Sequence, residues 1–283
     1  MLKPIIIFLL VSFFINLKDA IQIYNQIIFM VKIRTKKKLG QHFLNNEEIS
    51  KKIVISHINR NNILEIGPGI GALTKYLINE SNNFYVVEID DDCVNLLKKD
   101  FKNLNIIKED VLKLNFNNLF DDKFSIISNL PYNISSQVFF KILDNKDFIS
   151  EFSFLIQKEV AQRICSKSGN KTYGILSVLL QTYFDLEYLF EVSPDEFNPP
   201  PKVNSAVIRG VRNTRNNIGI PFKLFKNIVK IGFQNRRKTL RNSLKSLNLP
   251  KTFTSNSIFS KRAEQLDVED FIWLSNKINK NEP

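Results

Sequence analysis

From residue 47 onward the chain alternates short apolar runs with stretches of helical period. Asn62-Ile-Leu-Glu-Ile66, Phe84–Ile89, Leu104–Ile107, Phe124–Ile127 and Phe152–Ile156 are rich in β-branched and aromatic residues and too short for buried helices, so they read as strands. Between them lie helical patterns. The first has Asn46 as its cap, Glu47 and Glu48 in its first turn, and Ile49, Ile53 and Val54 on its apolar side. Ala72–Glu80, Asp91–Phe101, Ser135–Leu143 and Lys158–Ser166 follow. Buried strands separated by helices predict an α/β fold with a parallel sheet covered on both faces. Glu187–Val192 and Val203–Arg209, joined through a proline cluster, predict a late antiparallel pair. Arg209–Pro221 is polar and holds Gly210, Gly219 and Pro221, which predicts a linker. Beyond it the pattern is helical to the end, and no internal repeat is visible.

The start of the chain reads differently. Ile5–Ile15 is apolar but for Ser12, shorter than the roughly 20 residues of a membrane-spanning helix, and no clean cleavage site follows it. Residues 1–29 are expected to be a cleaved leader or an over-long start, with a membrane anchor as the lesser alternative. Met30 opens a basic stretch through Lys36, Lys37 and Lys38. The expected organisation is therefore 1–29 leader, 30–212 α/β domain and 213–283 small all-helical domain.

Charge sharpens this division. Lys and Arg number 40 against 28 Asp and Glu, a net of +12. The excess sits at both ends of the folded part, while residues 47–212 are slightly acidic, as expected for a protein that meets a polyanion at particular surfaces. Two distant cysteines, Cys93 and Cys165, form no metal-binding pattern, so no metal is expected.

Candidate chemistry lies at strand ends. Gly67-Pro-Gly69-Ile-Gly71 follows the first strand and opens a helix, where glycines let a ligand approach the main chain. The spacing is not the G-x-G-x-x-G of dinucleotide binding, which disfavours NAD. Glu88, ending the second strand, is suited to accept hydrogen bonds from ribose hydroxyls, and Asp110, after the third, to meet an adenine edge. Together they predict a nucleoside-bearing cofactor.

Asn129-Leu130-Pro131-Tyr132 follows the fourth strand and resembles the Asn-Leu-Pro-Tyr variant of the amino-methyltransferase signature. An adenine N6 lone pair is delocalised into the ring and is a poor nucleophile. The Asn129 side-chain oxygen and the Leu130 carbonyl would bind its two hydrogens and stabilise the charge that develops. Pro131 stiffens the turn and Tyr132 offers a stacking ring. Phe197, in the proline-rich loop to Ser205, would hold the other face of a base taken out of its stack. A methyl donor such as S-adenosylmethionine then needs mainly proximity.

With these motifs, Lys38-Leu-Gly-Gln-His-Phe-Leu44, Gln157-Lys-Glu-Val160, Tyr173-Gly174, the loop to Ser205, Phe233–Leu244 and Arg262-Ala-Glu-Gln-Leu266, the chain resembles the KsgA family of small-subunit rRNA adenine dimethyltransferases from about Lys37 to Asn276. The resemblance implies a Rossmann-like S-adenosylmethionine-dependent methyltransferase sheet with a helical C-terminal domain. It places His42 and Leu44 at the cofactor with Gly67, Gly69, Glu88, Asp110 and Asn129. It also implies four methyl transfers to two adjacent adenosines in the 3′ hairpin of small-subunit rRNA, and a role in assembling the immature subunit. A cytoplasmic monomer is expected, or an organelle-matrix protein if residues 1–29 are a targeting leader. Arg237, Arg241 and Lys245, flanked by Arg236 and Lys238, would form one stripe if a single helix carried them, suited to RNA phosphates with Lys36–Lys38 as a second contact. Phe222, Phe225, Val229 and Phe233 would pack that helix.

Overall fold

The computed structural model describes residues 35–81 and 83–280; the expected leader lies outside them. The chain divides into two compact units, Met1–Gln41 and His42–Pro283. In the first, Lys37–Leu39 is a short 3-10 turn closed by the Leu39 N–H on the Lys36 carbonyl at 2.8 Å, and the Lys36 N–H donates to Gln41 Oε1 at 2.8 Å.

The second unit is built on a seven-stranded sheet. Its strands are β2 (Asn62–Ile66), β3 (Asn83–Glu88), β4 (Asn105–Lys108), β5 (Phe124–Asn129), β6 (Ile149–Gln157), β7 (Phe184–Val192) and β9 (Ser205–Arg212). A separate two-stranded ribbon pairs β1 (Phe43–Leu44) antiparallel with β8 (Phe197–Asn198). The sheet order is β4-β3-β2-β5-β6-β9-β7, parallel through β6, with β9 antiparallel to both β6 and β7. The order therefore reverses between β2 and β5, which opens a crevice at their carboxyl ends. The expected late antiparallel pair is present as β7 and β9.

Helices cover both faces. They include α1 (Glu47–Ser56), α2 (Thr74–Leu77), α3 (Asp91–Asp100), α4 (Ser135–Asp144), α5 (Lys158–Cys165) and α6 (Ile175–Tyr183). Asn46 caps α1 as expected, its Oδ1 accepting the Glu48 and Ile49 N–H groups at 2.9 and 3.1 Å. The period of two sorts strand residues between two cores. Leu64, Ile66, Phe124, Ile126, Phe152 and Phe154 face the larger one, with Phe139, Leu179 and Leu180. Ile63, Val86, Ile127, Leu155 and Val207 face the smaller, with Ile53, Leu77 and Leu44.

The C-terminal helices α7 (Phe222–Gln234), α8 (Leu240–Ser243) and α10 (Val268–Lys280) join the larger core through Phe225, Val229, Phe233, Leu240, Phe271 and Leu274, and the short α9 (Lys251–Thr254) packs against it through the partly buried Phe253. The segment read as a linker is more ordered than its polarity suggests. Its first part belongs to β9, Ile218 and Ile220 are buried, and Asn276 Nδ2 donates to the Ile218 carbonyl at 2.7 Å. Arg212 ties it further, donating to the carbonyls of Tyr183 at 3.1 Å and Arg215 at 2.9 Å.

The single basic helix expected after Phe233 does not form. The α7 helix ends at Gln234, and Thr239 pairs with Arg262 in an antiparallel bridge. The Leu240 N–H then donates to the Lys261 carbonyl at 2.8 Å. These bonds satisfy backbone groups outside the helical ladder, so Arg237, Arg241 and Lys245 fall on a turn, the short α8 and a 3-10 turn instead of one stripe.

Candidate active site

The two turns on either side of the crevice meet. Gly67, Gly69 and Gly71 all have positive φ (60°, 56° and 85°), a conformation costly for any residue with a Cβ. A Cβ at Gly69 would lie 2.9 Å from the Phe43 ring, and one at Gly67 only 3.8 Å from Pro131 Cδ. The glycine turn is thus packed under Phe43 and against the tetrapeptide. Ser128 Oγ adds a tie by donating to the Ile66 carbonyl at 2.6 Å, across the point where strand order reverses.

Glu88 braces this turn from the end of β3. Its Oε2 accepts the Gly69 N–H at 3.1 Å, and its Oε1 accepts the Ile89 and Asp90 N–H groups at 2.8 Å each. A carboxylate has about four acceptor positions, so Oε2 keeps one open. Burial raises the Glu88 pKa, while the three N–H donors oppose that rise by favouring the charged form. Asp110 is half-buried beyond β4, and its Oδ1 accepts the Leu112 N–H at 2.9 Å, which fixes the side chain. Beneath the turn, Glu65 is buried and accepts a hydrogen bond from Thr74 Oγ1 at 2.7 Å. Burial and the nearby Glu88 charge push its pKa up to about 8 despite that bond.

On the other side, Asn129 Nδ2 donates to the His42 carbonyl at 2.9 Å. That bond fixes the amide, and none of the described residues donates to its Oδ1. The Leu130 N–H is held by the Leu155 carbonyl at 3.0 Å. Tyr132 is half-buried; its hydroxyl shares a 2.5 Å hydrogen bond with Ser205 Oγ, and its ring stacks on His42 with centroids 5.6 Å apart and planes at 26°. His42 is steadied in turn by its Nδ1 contact of 2.7 Å with the Pro199 carbonyl oxygen. Burial raises the Tyr132 pKa, so the ring stays neutral at physiological pH.

Most residues expected here are therefore brought together: Gly67, Gly69, Glu88, Asn129, Leu130, Pro131, Tyr132 and His42. Leu44 and Phe197 are not open to a ligand. They face each other across the β1–β8 ribbon and are buried in the smaller core, Phe197 at 3% exposure. Phe197 thus presents no face to a base in this structure, contrary to expectation, because strand pairing turns its ring inward. Sequence reasoning did not find Phe43, Ser205 or the bracing by Glu65. Phe43 and Ser205 act through the approach of distant segments, for which local spacing carries no signal, whereas Glu65 acts locally through Thr74.

Of the residues expected to meet RNA, Arg236, Arg237, Lys238, Arg241 and Lys245 are all exposed. Arg236 also donates to the Lys171 carbonyl at 3.0 Å and to the Tyr173 carbonyl, and Arg241 to the Thr254 carbonyl at 3.2 Å. Lys36, Lys37 and Lys38 belong to the first unit.

Comparison with known proteins agrees with this geometry. A family model described as ribosomal RNA adenine dimethylase matches residues 32–280. The chain is 52% identical over 254 residues to the ribosomal RNA small subunit methyltransferase A of Flavobacterium johnsoniae, covering 88% of this chain and 97% of that protein. It is 48% identical over 255 residues to the protein of the same name from Bacteroides thetaiotaomicron, covering 88% and 96%. Among solved structures, a dimethyladenosine transferase from Plasmodium falciparum aligns with a TM-score of 0.75 and 26% identity, covering 85% of this chain and 98% of that one. The 23S rRNA methyltransferase ErmE shares the fold with a TM-score of 0.66 at 20% identity, covering 84% and 99%.

Proposed function

This chain belongs to the ribosomal RNA adenine dimethylase family and is an S-adenosylmethionine-dependent rRNA methyltransferase, and we propose that it dimethylates the N6 amines of two adjacent adenosines in the 3′ hairpin of small-subunit rRNA. The observation that carries this reading is Asn129: its amide is fixed by the His42 carbonyl, with Oδ1 left for an incoming donor beside the glycine turn. The relatives named for the small ribosomal subunit support the choice of subunit.

S-adenosylmethionine, when bound, supplies a methyl group already activated on a sulfonium. The residues fit such a group: three glycines in conformations that exclude a side chain, the open acceptor of Glu88 for a ribose hydroxyl, and the fixed Asp110 carboxylate for an adenine edge. Asn129 Oδ1 and the Leu130 carbonyl would accept the two hydrogens of the target amine, orienting its nitrogen and stabilising positive charge as it develops. Pro131 holds the turn against Gly67. Tyr132, anchored by Ser205 and backed by His42, would support the extruded adenine by stacking. Phe197 is assigned to positioning: with Leu44 it holds the ribbon that carries Phe43 and His42 over the site.

In the same reading residues 30–212 form the catalytic part, residues 213–283 carry the main rRNA-binding surface, and Lys36–Lys38 are a separate phosphate contact. The partner is the immature small subunit, met by a monomer in the cytoplasm. Supplying full-length protein with methyl-labelled S-adenosylmethionine and separated ribosomal subunits tests the proposal. Label is expected in small-subunit rRNA; label confined to large-subunit rRNA would overturn it.

A further inference from the structure

One groove next to the site has no role in the chemistry above. It is lined by Gln157, Lys158, Glu159, Gln162, Val203 and Asn204, with a volume of about 360 Å³, near the lower end of the range for small-ligand pockets. It sits one strand over from the catalytic turn. Asn129 ends β5 opposite Leu155 of β6, and Gln157, two residues on, ends β6 opposite Ser205 of β9. Ser205, which is bonded to the Tyr132 hydroxyl, directly follows Asn204 of the groove, so the groove wall adjoins the anchor of the stacking ring. The backbone fixes that wall further, the Lys158 N–H donating to the Asn204 carbonyl at 2.9 Å.

The polar groups of the groove divide by availability. Lys158 Nζ is held by Glu191 at 2.8 Å, and Glu159 by Arg163 at 2.7 Å, so both charges are already paired. The Gln157, Gln162 and Asn204 side-chain amides make no hydrogen bond among the described residues. Val203 adds an apolar surface that is 45% exposed. Unengaged amides beside an apolar patch match a nucleobase, since an amide presents a donor and an acceptor side by side, as the N6/N7 edge of adenine does. An unstacked base offers that edge together with a free face.

We propose that this groove holds the base of the nucleotide adjacent to the adenosine being methylated, parking one of the two neighbouring adenosines while the other occupies the catalytic turn. The proposal rests on the rRNA reading above and adds a subsite to it. Gln157, Gln162 and Asn204 read the edge of the parked base, and Val203 contacts its face. Its binding energy is the same in ground and transition states, so it acts on KM and leaves kcat unchanged.

The test uses full-length protein and small subunits reconstituted with unmethylated rRNA, in which one of the two adenosines is kept or replaced by uridine. For the wild type, replacement should raise KM for methylation of the remaining adenosine about tenfold at constant kcat. Gln162→Ala and Val203→Ala, both at exposed positions, should raise KM about as much on the two-adenosine substrate and add nothing on the replaced one. Unchanged cofactor affinity in both variants shows that they are folded. Unaltered KM in the variants, or penalties that multiply with the uridine replacement, would overturn the subsite. No transfer by the wild type to the intact substrate would instead sink the rRNA reading on which it rests.

Discussion

At the residue scale the site depends on groups whose freedom has been removed. Asn129→Ala takes away the oriented acceptor without disturbing the Gly67–Gly71 turn. It should lower kcat by at least about a hundredfold, the scale of losing one oriented group at a charge-developing centre, while RNA affinity stays within about twofold. Single-turnover methylation with a parallel binding titration checks this, and retained turnover would remove Asn129 from the chemistry. Glu65 gives a different signature. Its pKa rises from 4.5 to about 8 on folding, so the native state binds the proton more tightly than the unfolded chain. The stability this confers is complete below pH 4.5 and is lost as pH rises toward 8. Glu65→Gln removes this loss, so the variant should gain on the wild type by about 1 kcal/mol or more between pH 5 and pH 8.5. Denaturant unfolding at the two pH values measures it; an unchanged gap would mean that Glu65 is ionised when folded. Asn129, Glu88 and the glycines were legible because strand–turn–helix patterns locate strand ends. The inward turn of Phe197 was not, since pairing between β1 and β8 spans residues far apart in sequence.

At the scale of elements the glycine turn and the C-terminal turns carry different loads. Gly69→Ala demands a left-handed alanine and pushes on the Phe43 ring. It should cost about 1–2 kcal/mol from backbone strain alone, with further loss from displacing Phe43 and an accompanying loss of cofactor affinity. Gly169 has a φ of 86° but nothing within 4 Å of its Cβ position, so Gly169→Ala should show the backbone cost alone. Comparing the two by thermal unfolding isolates the packing contribution, and equal costs would mean that Phe43 gives way freely. Arg236 and Arg237 also separate. Arg236→Ala should lower Tm because the guanidinium ties Lys171 and Tyr173 to the end of α7. Arg237→Ala should leave Tm unchanged and reduce the salt slope of RNA binding by about 1. A lower Tm with an unaltered slope for Arg237→Ala would assign it to the fold. The apolar run that forms α6 escaped assignment, since it is buried on nearly every side and shows no single face. The break after Gln234 escaped because Thr239 and Leu240 bond to Lys261 and Arg262, which no local period foretells.

At the scale of the whole molecule, charge and core divide the work. Phe222–Phe259 carries basic residues and no acidic one, whereas the segment that bears the glycine turn and Asn129 is slightly acidic. Long-range attraction to RNA therefore acts through surfaces outside the methyl-transfer turn, and high salt should weaken RNA binding without weakening cofactor binding. Fold class and the position of the site were legible because each motif follows a strand. The substrate's identity was legible only by resemblance, since no spacing of residues encodes which adenosines are reached. The most direct measurement is mass-spectrometric mapping of rRNA after reaction of the purified full-length protein with immature small subunits and S-adenosylmethionine. The expected product is N6,N6-dimethyladenosine at two adjacent positions in the 3′ hairpin; methylation at other sites, or at a single adenosine that stops at one methyl group, would contradict the account.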